Sequence, residues 1–186
     1  ITLCFFAGWG FDGAIVDDRN PVAAATEGGV PMGSTLRPAE TEMASPTFFV
    51  WAAADSMSAP LQRIQVIKGW IDADGETHES VRDVACADGL KVDPNTLRCP
   101  DNGASVDITS CQILGESGAG QLLAAWQDKD FDASQDAFYY VRAIQNPTCR
   151  WSTYDAIRLG REPDPRVPAT IRERAWSSPI WIDPPG

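Results

Sequence analysis

The sequence predicts a mostly β chain folded as an antiparallel β-sandwich, immunoglobulin-like or fibronectin-like in character, with one short helix and long loops. Three observations lead there. Runs of aromatic and β-branched residues recur along the whole chain, the residue types that suit a pleated, half-buried surface. Fifteen glycines and fourteen prolines divide these runs into short elements. No alternation of strand and helix appears that would build a parallel sheet. With 186 residues and 44% hydrophobic content, the chain is expected to form a single domain over residues 1–186 around one core.

The first run, ITLCFFAGWG, is apolar and β-favouring and does not begin with methionine, so the sequence is expected to be a fragment of a larger protein. TFFVWAAAD (residues 47–55) and RIQVIKGWID (63–72) read as inner strands. In the second, Ile64, Val66 and Trp70 share one face while Gln65, Ile67 and Ile71 share the other. The Asp-Gly in ADGE then predicts a hairpin into THESVRDVAC.

ADGLKVDPNTLRCPDNGA (87–104) is dense in turn residues and reads as an excursion loop, followed by a short run at SVDITSC. In AGQLLAAWQD, Leu122, Leu123, Ala125 and Trp126 fall at helical spacing, which predicts the one helix, of about two turns. AFYYVRAIQ (137–145) is a strand with Phe138, Tyr140 and Ile144 on one side and Tyr139, Val141 and Ala143 on the other. REPDPRVPA reads as an extended connector, and SSPIWI (177–182) as a last strand whose proline suits an edge or a strand start.

The formal net charge of -11 repels phosphate backbones and anionic lipid surfaces, so nucleic acid is not an expected partner. No apolar run approaches the roughly 20 residues a membrane helix requires, and no membrane insertion is expected. The five cysteines lack the CxxC spacing of zinc sites. Cys86, Cys99, Cys111 and Cys149 lie where strands meet loops and are expected to form two disulfides, leaving Cys4 over. That implies an oxidising compartment, periplasmic or secreted. Four cysteines allow three connectivities, which sequence leaves open; Cys86 with Cys99 and Cys111 with Cys149 is the one we favour.

His78 is the one histidine and sits in the predicted hairpin. Hydrolytic metal sites use several imidazoles and a triad sets one beside a nucleophile, so the chain alone is not expected to be catalytic. Asp128, Asp130, Asp132 and Asp136 in DKDFDASQD resemble the spacing of calcium-loop ligands, but Ala133 and Tyr139 stand where an EF-hand has glycine and glutamate. They form a candidate calcium site, whose competitor is a solvated acidic turn. GESGAGQ lacks the lysine and hydroxyl of a phosphate loop. Of the seven tryptophans, Trp51, Trp70, Trp126 and Trp181 fall on apolar faces and are expected in the core. Trp151 and Trp176 instead lie near arginines, Arg150 and Arg174, which suits cation–π stacking, a domain interface or a ligand site.

The blocks FFAGWGFD, GVPMGSTL, RIQVIKGWIDADGETHESVRDVA, DKDFDASQDAFYYVRAIQNPTCRWSTYDA and IRERAWSSPIW occur in order between residues 3 and 181. Together they resemble the C-terminal part of a bacterial family, domain of unknown function 3604. The resemblance implies a longer protein related to PHP-type metal-dependent hydrolases, with its histidine-rich metal motifs in an N-terminal catalytic domain. Divalent metal is then expected only in that domain, and no catalytic residue carries over to this chain. Its partner would be its own N-terminal catalytic domain, which Arg150, Trp151, Tyr154 and Asp155 would dock against or border. The expected function is therefore an accessory C-terminal β-sandwich of an exported metal-dependent hydrolase-like protein. The alternatives are a carbohydrate- or small-ligand-binding module that uses Trp151, Trp176 and Tyr154, and a calcium-stabilised structural domain.

Overall fold

Two sheets face each other across a core of aromatic and branched side chains in a computed structural model that describes residues 1–37 and 45–183. In chain order the elements begin with β1 (Thr2–Gly8), a 3-10 helix (Gly13–Asp17), α1 (Pro21–Gly28), β2 (Val30–Pro31), β3 (Thr35–Leu36) and β4 (Thr47–Ala53). The long hairpin β5 (Leu61–Ile71) and β6 (Thr77–Cys86) follows, then β7 (Ser105–Val106), β8 (Ile113–Leu114), β9 (Gln121–Gln127) and β10 (Ala137–Gln145). The chain closes with β11 (Thr148–Cys149), α2 (Trp151–Arg158), β12 (Thr170–Ile171), β13 (Arg174–Trp176) and β14 (Ile180–Ile182).

The first sheet has the order β2-β1-β4-β9 and the second β3-β14-β10-β5-β6, with β13 also on β10. Pairing is antiparallel except between β14 and β3. Alternation places Phe5, Phe48, Val50, Leu122 and Ala124 of the first sheet against Ile64, Val66, Tyr139, Val141, Ile180 and Ile182 of the second. The Phe48 and Tyr139 rings meet at 4.3 Å between centroids. Each such fully buried side chain contributes roughly 1.5–3 kcal/mol of apolar transfer free energy.

The back of the first sheet is apolar as well. Phe6 and Phe49 pack there with Ala25 of α1, and Phe11, Ile15, Val16 and Val22 close over them. α1 starts where Asn20 Oδ1 accepts the Ala23 N–H at 3.3 Å and Pro21 supplies a fixed φ at the first helical position.

The predicted inner strands and both hairpin arms are present, and the turn at Asp72–Glu76 works as expected: Gly75 takes φ +81°, and Asp72 Oδ1 accepts the N–H groups of Asp74 and Glu76. Two expectations are corrected. Gln121–Gln127 is strand β9, not a helix. It pairs with β4 over its whole length, with Leu122 and Ala124 in the core between the sheets and Leu123 against the α1 layer. Both faces are therefore apolar, which hides the period of two. The α-helices are instead α1 and α2. Trp181 is not in the core: Ile180 and Ile182 point inward and are buried, so Trp181 between them is 47% exposed. Trp51, Trp70 and Trp126 do pack against the buried clusters.

β13 and β14 share β10, with Trp176 opposite Arg142 and Ile180 opposite Tyr139. Between them, Ser177 N–H donates to the Val141 carbonyl and Ser177 Oγ accepts the Val141 N–H, each at 3.0 Å. The ladder thus continues past Pro179, which has no N–H to offer.

Candidate functional site

The stretch NPTCRWSTYDAIRLG leaves β10, makes the short strand β11 and turns into α2. Disulfides Cys86–Cys99 and Cys111–Cys149 are both formed, the favoured connectivity, and Cys4 is free. Cys111–Cys149 ties the β7–β8 hairpin to the root of α2, and β12 pairs with β11 to return the connector to the same place. Arg150 precedes the helix: its N–H donates to Ala169 O at 2.9 Å and its carbonyl accepts from Thr153 N at 3.0 Å. The buried Thr153 hydroxyl donates to the same Ala169 carbonyl at 2.7 Å. The Arg150 Nε–H is buried and has no hydrogen-bond partner among the described residues.

This end presents many large apolar side chains to solvent, among charged ones. Trp151 is 72% exposed, and Tyr154 and Asp155 are exposed on the same helix. Ile157 and Leu159 lie further along, Val167 on the connector, and Ile108, Ile113 and Leu114 on the tethered hairpin. All of these but Asp155, eight in number, are among the thirteen large hydrophobic side chains exposed among the described residues. Single exposed hydrophobics are ordinary, whereas large contiguous apolar patches are a feature of interaction surfaces.

A family model described as "Protein of unknown function (DUF3604)" matches residues 1–184. The chain belongs to the DUF3604 family. Neither a curated protein nor a solved structure matches it.

The other predicted site residues of this DUF3604 chain lie elsewhere. Arg174 and Trp176 are on β13, with the guanidinium carbon 5.8 Å from the indole centroid. Opposite Trp176, Arg142 donates to Gln65 Oε1, and Gln65 Nε2 donates to Asp83 Oδ1 at 2.6 Å. Asp83 is buried, accepts the Cys99 N–H at 2.7 Å, and has Arg63 at 3.5 Å and Arg98 at 3.6 Å. Burial holds the Arg63 pKa below its usual value; Asp83 opposes this, while Arg172, Arg142 and Arg98 add to it. Two arginines thus flank one buried carboxylate, with Arg142 joined to it through Gln65 and Arg172 near Arg63, a cluster that sequence spacing does not reveal.

The four aspartates of the candidate calcium loop have separate partners. Asp128 is buried, with Lys68 Nζ and the Tyr139 hydroxyl each at 2.7 Å from its Oδ2. Burial, and then the Asp128 charge, pushes the Tyr139 hydroxyl far above the usual tyrosine range. Asp130 pairs with Arg82 at 2.6 Å. Asp132 accepts from Ser134 Oγ at 2.6 Å and from Ser134 N at 2.9 Å, bonds that lower its pKa. Asp136 is exposed, and its carbonyl accepts from Ile71 N at 3.1 Å. No group of three or more His, Cys, Asp or Glu side chains that could hold one metal ion occurs among the described residues. His78 is exposed in the hairpin, its Nε2 2.6 Å from Asp72 Oδ2 and its ring stacked 5.2 Å from that of Trp70.

Proposed function

We propose that this chain is an accessory C-terminal β-sandwich of a larger, exported bacterial protein of metal-dependent hydrolase type, and that its disulfide-tied end packs on or borders the catalytic domain. The concentration of exposed apolar side chains on α2 and the β7–β8 hairpin carries the reading, because that surface gains free energy only when covered. Arg150 supports it from below, as its buried Nε–H lies at the root of this surface and suits a carboxylate or other oxoanion brought in by the partner. The two disulfides suit a periplasmic or extracellular setting. The hydrolytic metal would reside in the catalytic domain.

Limited proteolysis of the full-length parent tests the docking. With Trp151→Asp and Tyr154→Ser together, the sandwich should be released as a resistant fragment faster than from wild type. Equal rates would refute docking through α2. Metal-dependent hydrolysis of phosphate or sulfate esters by the purified 186-residue chain would overturn the accessory reading itself.

A further inference from the structure

The outer face of the second sheet holds a pocket that none of the roles above uses. Antiparallel register places Trp181 of β14, Phe138 of β10, Gly69 of β5 and Glu79 of β6 in one row across four strands. Directly paired residues project from the same face of a sheet, so the row is a strip of surface. Gly69 leaves a gap in it: a β-carbon there would lie 2.4 Å from Phe138 Cζ, so the phenyl ring leans over the bare backbone. Phe138 in turn packs against Trp181, with ring centroids 5.2 Å apart and planes tilted by 49°. The resulting pocket has a volume of about 470 Å³, within the range of roughly 300–1,000 Å³ typical of small-ligand sites.

Its lining combines two chemical characters. Ile71, Phe138 and Trp181 provide apolar and aromatic surface, and Glu79, Asp136 and Asp183 provide carboxylates. No lysine or arginine lines it, and none of those three carboxylates belongs to an ion pair among the described residues. His78, also at the wall, is held by Asp72. A neutral sugar would leave three negative charges without a counter-charge, and a bare metal ion would leave the aromatic wall without a contact. A compact organic cation satisfies both, since its alkyl groups cover the rings and its charge meets the ring faces and the carboxylates. We infer that this pocket binds a small organic ammonium ion, with Trp181 and Phe138 contacting its alkyl groups and Glu79, Asp136 and Asp183 balancing its charge.

The test is titration of the chain with choline and with dimethylbutanol, the same skeleton carrying carbon in place of nitrogen, at matched ionic strength. NMR signals of the Trp181 indole and the Gly69 amide report the site. Choline should shift both saturably and bind at least about tenfold more tightly than its uncharged counterpart. The Glu79→Gln, Asp183→Asn double variant changes only exposed side chains and should keep the wild-type spectrum. It should lose about tenfold in choline affinity and nothing for dimethylbutanol. Equal affinity for the two probes would overturn the inference, as would unchanged choline binding by the double variant. Shifts of these signals by a methyl glycoside but not by choline, or no saturable shift with any probe, would do the same.

Discussion

Lys68 Nζ lies 2.7 Å from Asp128 Oδ2 between the two sheets, with the side chains only 8% and 2% exposed. The aspartate also accepts the Tyr139 hydroxyl, and the ammonium reaches the Asp130 carbonyl at 3.2 Å. The rings of Trp70, Tyr139 and Phe131 stand within 6.0 Å of the same ammonium. A buried pair so surrounded adds little net stability compared with an apolar substitute, but half of one is costly. Lys68→Met alone is therefore expected to lower the unfolding free energy by about 3–5 kcal/mol. Lys68→Met with Asp128→Leu should recover most of that loss, as read by urea denaturation.

The two disulfides close loops of different length, with sequence separations of 13 and 38 residues. Loop-closure entropy then gives about 3 kcal/mol for Cys86–Cys99 and about 4 kcal/mol for Cys111–Cys149. Serine replacement of the second pair should cost more in a denaturation series. It should also raise hydrogen exchange in α2, whereas replacing Cys86 and Cys99 should loosen the 87–104 loop.

Several half-buried aspartates accept hydrogen bonds that hold their pKa values below the usual range: Asp72 from the His78 ring and then from backbone N–H groups, and Asp107 from the Ser110 hydroxyl and then from Thr109. Because the folded values are depressed, this stability is fully present above the unfolded carboxylate pKa, near 4, and is lost as pH falls through the folded values. The melting temperature should accordingly hold through mildly acidic pH and fall below about pH 4. Asp107→Asn should make that fall shallower; an unchanged slope would count against these bonds.

Gly69→Ala places a methyl group where the Phe138 ring already lies. The ring must swing away, at a cost of about 1–3 kcal/mol for overpacking. The pocket would change shape, and choline binding should fall even where the fold survives. Thermal melting and titration of one sample separate the two effects.

Strand positions were legible wherever one face met the core and the other did not, as in AFYYVRAIQ, where Tyr139 and Val141 are buried and Phe138, Tyr140 and Arg142 are only half-buried. Gln121–Gln127 was not, because α1 and the 3-10 helix bury the outward Leu123 while the opposite sheet buries Leu122. α1 carried readable signals, an Asn–Pro start and an alanine run. α2 carried few: WSTYDAIR is poor in strong helix formers, and Arg150 provides no side-chain cap. The outward position of Trp181 follows from the isoleucines beside it. Its nearness to Gly69 does not, because only cross-strand register joins residues so far apart in sequence. An isolated glycine inside RIQVIKGWID is the one local hint of a close approach there.

The Cys111–Cys149 link makes the apolar end of the sandwich conditional on oxidation. The bond joins the β7–β8 hairpin to the root of α2, so these two segments with exposed apolar side chains are covalently held together only once the sulfurs have joined. Under the docking proposed above, a chain still holding free thiols at these positions would present the two segments to its partner separately. Bond formation would serve as the moment at which this part of the molecule becomes ready for assembly.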